Sequence, residues 1–220
     1  MENERHEKRK KKDEDFQFYV QVAAIIILAG LLMYSWGFSE SSIGTGLVSA
    51  SSVVPVGVPS VYGEELGITY DDVSPSNPQK ADNTIRLLGN IDRIETLDDA
   101  QMTRYIDILY NMHNGMSCEY CCGARSIIFE NGQPACGCAH SYAMRGLTKY
   151  LIKYHDGEFT DEEILVEVGK WKTLFFPGIL EGKAQVMKEQ GIDVDYLSLT
   201  TNKYRGIEQG QTSGGMIGSC

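Results

Sequence analysis

Five of the six cysteines fall between Cys118 and Cys138, in the stretch CEYCCGARSIIFENGQPACGCAH that ends at His140. The pattern is C-x-x-C-C followed by C-x-C-x-H. Thiolates and an imidazole at such spacings form the donor set of zinc, copper or iron–sulfur sites. The same thiols can instead cross-link as structural disulfides or exchange them as a redox pair. The leading expectation is a metal site, with zinc or copper as the ion. Its first-choice ligands are Cys118, Cys121, Cys136 and Cys138, with Cys122 and His140 as substitutes. The structural reading uses the even number of cysteines. The redox reading uses Cys118 and Cys121 as a C-x-x-C pair, without the βαβ context such pairs usually have. Bridging the adjacent Cys121 and Cys122 would be strained.

These residues must be brought together by the elements around them. An apolar run, Ser126 to Phe129, precedes Glu130 and the Asn131-Gly132 pair, a strong short-range hairpin signal. With Asn131 and Gly132 as the turn, Glu130 pairs with Gln133 and Ile127 faces Cys136. Continued, that ladder brings Cys121 and Cys122 to Cys138, like the knuckle of a zinc ribbon. Cys138 stands just before an expected helix, where unpaired N–H groups favour a thiolate. His140 falls in that helix's first turn. His113 lies on the inward stripe of the preceding helix, and Met112, Met116 and Met144 are close in sequence. Packing is the ordinary role of such residues, and soft copper ligation is the alternative.

At Pro134-Ala135-Cys136-Gly137-Cys138 the chain resembles the extracytoplasmic prokaryotic family named for its P-C-Y-C-G-C motif. Pro134, Cys136, Gly137 and Cys138 match that motif. Its first cysteine has no match here, and Cys121 or Cys122 would have to supply it. The resemblance spans Cys118 to Leu151. It implies a membrane-attached, cysteine-rich protein and no particular reaction.

Helical periodicity dominates the remaining chain. Residues 84–94 suit either a helix or a strand. Thr96 can cap a helix with the stripe Met102, Tyr105, Ile106, Leu109, Tyr110 and His113, ended by Asn114-Gly115. A second helix carries Ala139, Ala143, Leu147, Tyr150, Leu151 and Tyr154 on one face. Thr160 and Glu163 form a capping box for a third, with Ile164, Val168, Trp171 and Phe175 inward. A short fourth covers 179–190.

The N-terminus differs in kind. No charged residue occurs from Phe16 to Ser39. An apolar run of roughly 20 residues is long enough to span a bilayer. Six basic and six acidic residues precede it, and the next basic residue after it is Lys80. The basic bias expects a cytoplasmic N-terminus and an outward C-terminal domain. The net charge of −10 then belongs to the outer part and argues against nucleic-acid binding.

The expected organisation is a cytoplasmic tail (1–15), a transmembrane signal anchor (16–39), a flexible stalk (40–80), a cysteine-rich domain (81–195) and a Gly-rich tail (196–220). The fold class is mainly α with a small β-hairpin, behind a single transmembrane helix. The expected partners are the lipid bilayer and a metal donor or acceptor protein. Neither a Ser-His-Asp constellation nor a phosphate-binding glycine loop is legible. The function expected is extracytoplasmic metal binding. The alternatives are a tethered thiol–disulfide redox protein and a domain with structural disulfides alone. Cys220, the last residue, is expected to reach the cluster or to pair with another chain.

Overall fold

A computed structural model of the protein describes residues 53–210 and 216–218. The apolar run 16–39, the tail before it and Cys220 lie outside the described residues. Among the described residues, no helix is long and apolar enough to cross a membrane.

The ambiguous segment is helical. Helix α1 runs Pro78–Ile94, with Asn77 Oδ1 accepting the Lys80 N–H and Pro78 at its first position. Proline is suited there because its missing N–H would have had no partner. Ala81, Ile85, Leu88 and Ile91 point inward. Helix α2, Asp99–Ile106, is capped reciprocally by Asp98 and Gln101 rather than by Thr96. It loosens into a π turn at Asp107–Asn111 and then a tight turn at Met112–Asn114. Helix α3 spans Ala139–Tyr154, and α4 spans Asp161–Phe175 behind the expected Thr160–Glu163 box. Helix α5 is Pro177–Glu189, and α6 is Tyr196–Thr200.

Helices α1 and α3 approach closely at Gly146, where a Cβ would collide with the Leu88 carbonyl and the Asp92 nitrogen. Beside this contact Asp92 accepts from Arg145 and pairs with Lys149, each at 2.8 Å. The Arg145 guanidinium also donates to the carbonyls of Ile127 (3.2 Å) and Cys136 (2.8 Å). One buried cation thus ties the cysteine-bearing loop to α3. Gly146→Ala forces a methyl onto backbone that cannot swing aside. It is expected to cost about 3 kcal/mol and to lower Tm by about 6–12 °C. Gly137→Ala, with open space around it, is the control and should leave the melt within about 2 °C.

The expected hairpin is corrected. Among the described residues there are no strands, and only a single bridge joins Ile128 to Pro134. The chain does reverse at Gly132, whose φ is +79°. The pairing is one residue off the Asn-Gly register, because the Phe129 N–H donates to the Gln133 carbonyl at 2.8 Å. Proline at 134 has no N–H to return to a ladder. The Ile127 N–H is spent on the Met116 carbonyl instead.

Residues 53–80, expected as part of a stalk, pack into the core through Val53, Tyr62, Ile68, Tyr70 and Val73. The Tyr62 and Tyr70 hydroxyls donate to Glu167 at 2.8 and 2.7 Å, and Trp171 Nε1 donates to Tyr62. Prolines and glycines there shape turns around large aromatic anchors. The compact fold also continues past 195, with Leu199, Thr201, Glu208 and Ile217 buried.

Candidate metal centre

Cys138 is the N-cap of α3. Its Sγ accepts the Ser141 N–H at 3.3 Å and lies 3.2 Å from Ser141 Oγ. A sulfur therefore occupies the place where an N-cap oxygen usually accepts an orphan N–H. Cys118 arrives from the other side of the site, after the turn at Gly115, and its Sγ is 3.3 Å from Cys138 Sγ. His140, in the first turn of α3, is fully buried against Phe175 and Phe176.

His140 Nε2 is 2.6 Å from the Ile217 carbonyl. A carbonyl can only accept, so Nε2 donates to it, and Nδ1 is the ring nitrogen left on the side of the site to serve as a metal ligand. Metal-binding imidazoles are commonly anchored in this way. Ile217 is itself held by its N–H to the Phe175 carbonyl at 2.8 Å. Donor atoms of Cys118, Cys138 and His140 all lie within 4.8 Å of one another, and all three residues are buried.

The two thiols share a proton unequally. The hydrogen bond from Cys118 pulls the Cys138 thiol well down against the cost of burial, with His140 and Ser141 assisting. The same bond, with burial, pushes Cys118 up. Cys138 is therefore the more readily ionised of the two thiols and Cys118 the one that holds its proton more tightly. Two thiolates on one tetrahedral zinc, each at about 2.3 Å, sit about 3.8 Å apart. The observed pair needs about half an ångström of opening to admit an ion.

The six sequence-derived candidates divide. Cys118, Cys138 and His140 converge. Cys122 and Cys136 form a disulfide, which takes Cys136 out of the first-choice ligand set. Cys121 is half-buried and outside the converging group. His113 is not brought to the site, and its Nε2 lies 3.4 Å from Glu162. Met116 and Met144 are core residues.

A buried charge cluster beside Cys118 was not foreseen. Glu119 Oε2 lies 3.3 Å from Lys172 Nζ and 3.6 Å from Lys183 Nζ, and Oε1 accepts the Gly206 N–H at 2.9 Å. Lys172 also donates to the Thr200 carbonyl at 2.7 Å. Glu208 lies 3.9 Å from Lys183 and accepts from the Tyr120 hydroxyl. Both lysines are fully buried. Burial pulls Lys172 down to about 8, with the Glu119 carboxylate the main opposing charge and Lys183 adding to the fall. Burial pushes Glu119 up, but the two lysines outweigh it and hold that carboxyl below its usual range. The one available signal was spacing. Lys172 is four residues after Val168, and Lys183 three after Leu180, both on inward stripes.

No known protein family matches the chain, and neither a curated protein nor a solved structure matches it.

Proposed function

We propose that this protein is a metal-binding module at the outer face of a membrane. It holds a soft ion, zinc or copper, on Cys118, Cys138 and His140 and exchanges it with a donor or acceptor protein. The carrying observation is the convergence of three buried soft donors within 4.8 Å. Two thiolates and one imidazole suit zinc or copper better than the oxygen-seeking calcium or magnesium. Three protein ligands leave a tetrahedral ion one open position, through which a partner's donor atom could take the ion over. The outward location is supported by the apolar run 16–39 with its preceding basic residues. The Cys122–Cys136 disulfide suits an oxidising compartment.

The test is elemental analysis of the full chain, purified in detergent and dialysed after loading with zinc or with copper(I). About one ion per chain is expected, retained against brief chelation and released on denaturation. A chain that retains neither ion would overturn the reading.

A further inference from the structure

Four of the five clustered cysteines form a line of sulfurs running inward from the surface. Cys122 is exposed, and its disulfide partner Cys136 is buried. Cys136 Sγ lies 3.6 Å from Cys138 Sγ, which lies 3.3 Å from Cys118 Sγ. Cys118 is 1 % exposed. An external reagent therefore meets the cluster at Cys122, while the innermost thiol is reached through its neighbours. Gly123 and Gly137, which flank the disulfide, both have open space around them. Cys138, on a helix N-terminus with the Ser141 N–H on its sulfur, is placed as an attacking thiolate.

We propose that the domain is a thiol–disulfide exchange relay, serving a dithiol/disulfide protein that docks at Cys122. It shares Cys118 and Cys138 with the metal reading but requires no metal. In the first step the Cys138 thiolate attacks Cys136 Sγ. The Cys122–Cys136 bond breaks, a Cys136–Cys138 bond forms, and Cys122 leaves as a thiolate. In the second, Cys118 gives up its proton and attacks Cys138 Sγ. A Cys118–Cys138 bond forms and Cys136 leaves as a thiolate. One proton then resides on the Cys122/Cys136 pair, as one did on the Cys118/Cys138 pair, so charge and electrons balance. A partner's disulfide re-forms Cys122–Cys136 by two further exchanges and leaves as a dithiol. The net change is two electrons from Cys118 and Cys138 to the partner's disulfide, and the reverse runs with a dithiol partner. Oxidation of the inner pair consumes both thiolates of the metal group, so the relay would also expel a bound ion.

The test uses the metal-free full chain in detergent with oxidised glutathione as the probe disulfide. Samples are quenched in acid and alkylated, and their bridges are mapped by mass spectrometry. Wild type should gain a Cys118–Cys138 bridge. In Cys122→Ser it should form at least about tenfold more slowly, because the entry point is gone. Cys118→Ser keeps the starting disulfide and serves if Cys122→Ser does not fold. It should accumulate a Cys136–Cys138 bridge with Cys122 newly alkylated. An equal rate in Cys122→Ser, no Cys118–Cys138 bridge in wild type, or a Cys118→Ser chain bridged solely at Cys122–Cys136 would each overturn the relay. Metal retention is scored separately, so either reading can fail alone.

Discussion

Cys138→Ser is expected to abolish metal retention by the full chain, lowering affinity by at least about a hundredfold. Cys138 stands at the centre of the converging donors. Its sulfur contacts Cys118, Cys136 and the first turn of α3, and it is the more readily ionised thiol of the Cys118/Cys138 pair. Serine can still cap α3 through its hydroxyl, so the helix should survive while the soft donor is lost. Cys118→Ser should match it in size. His140→Gln should lose less, because two thiolates remain, but its side chain would leave the Ile217 carbonyl partner incompletely replaced. Cys121→Ser should retain the full complement. Isotherms for zinc and copper(I), with helical content checked by circular dichroism, distinguish the sets. If Cys121→Ser fell as far as Cys138→Ser, the four-cysteine set read from spacing would be restored and the three-residue centre would be wrong.

The contrast between those ligand sets shows what spacing can reveal. Helix α3 and the cap of α4 were legible because apolar periodicity and the Thr160–Glu163 box are local signals. Cys138 at a helix start and His140 within its first turn followed from the same local pattern. The ligand set went wrong where it depended on register. Asn131-Gly132 marked the reversal, but Pro134 and the diversion of the Ile127 N–H to Met116 ended the ladder after one bridge. Cys121 and Cys122 then had no route to a common site with Cys136 and Cys138 through strand pairing. Composition misled at residues 53–80, where a Pro- and Gly-rich segment was expected to be flexible. Tyr62 and Tyr70 anchor it on Glu167, a contact across roughly a hundred residues that no local pattern encodes. The buried lysines were invisible for a different reason. Lysine on an inward stripe is ordinarily assigned to solvent, and its partner Glu119 lies far away in sequence.

Glu119→Gln is expected to destabilise the fold by about 3–5 kcal/mol, the range found when one member of a buried ion pair is removed. Glu119 holds a left-handed φ of +56°, unusual for a residue with a side chain. Its carboxylate faces both buried lysines and accepts the Gly206 N–H. Glutamine keeps the shape but not the charge, leaving Lys172 with the Thr200 carbonyl and Lys183 with Glu208 at 3.9 Å. Thermal melts should fall by about 6–20 °C. The same cluster makes stability depend on pH, with a definite sign. Lys172 titrates at about 8 in the fold and near 10.4 when unfolded. Between those values the unfolded chain holds more protons, so the lysine's contribution to stability rises with pH. The cost is fully present below pH 8 and is relieved towards pH 10. Wild type measured against Lys172→Met should gain about 2 kcal/mol from pH 7.5 to 9.5, while the buried tyrosines and thiols largely cancel in the difference. A flat difference would mean that Lys172 is not buried as a cation beside Cys118. In the Glu119→Gln background the rise should begin at lower pH, because burial would then act on Lys172 without its main opposing charge.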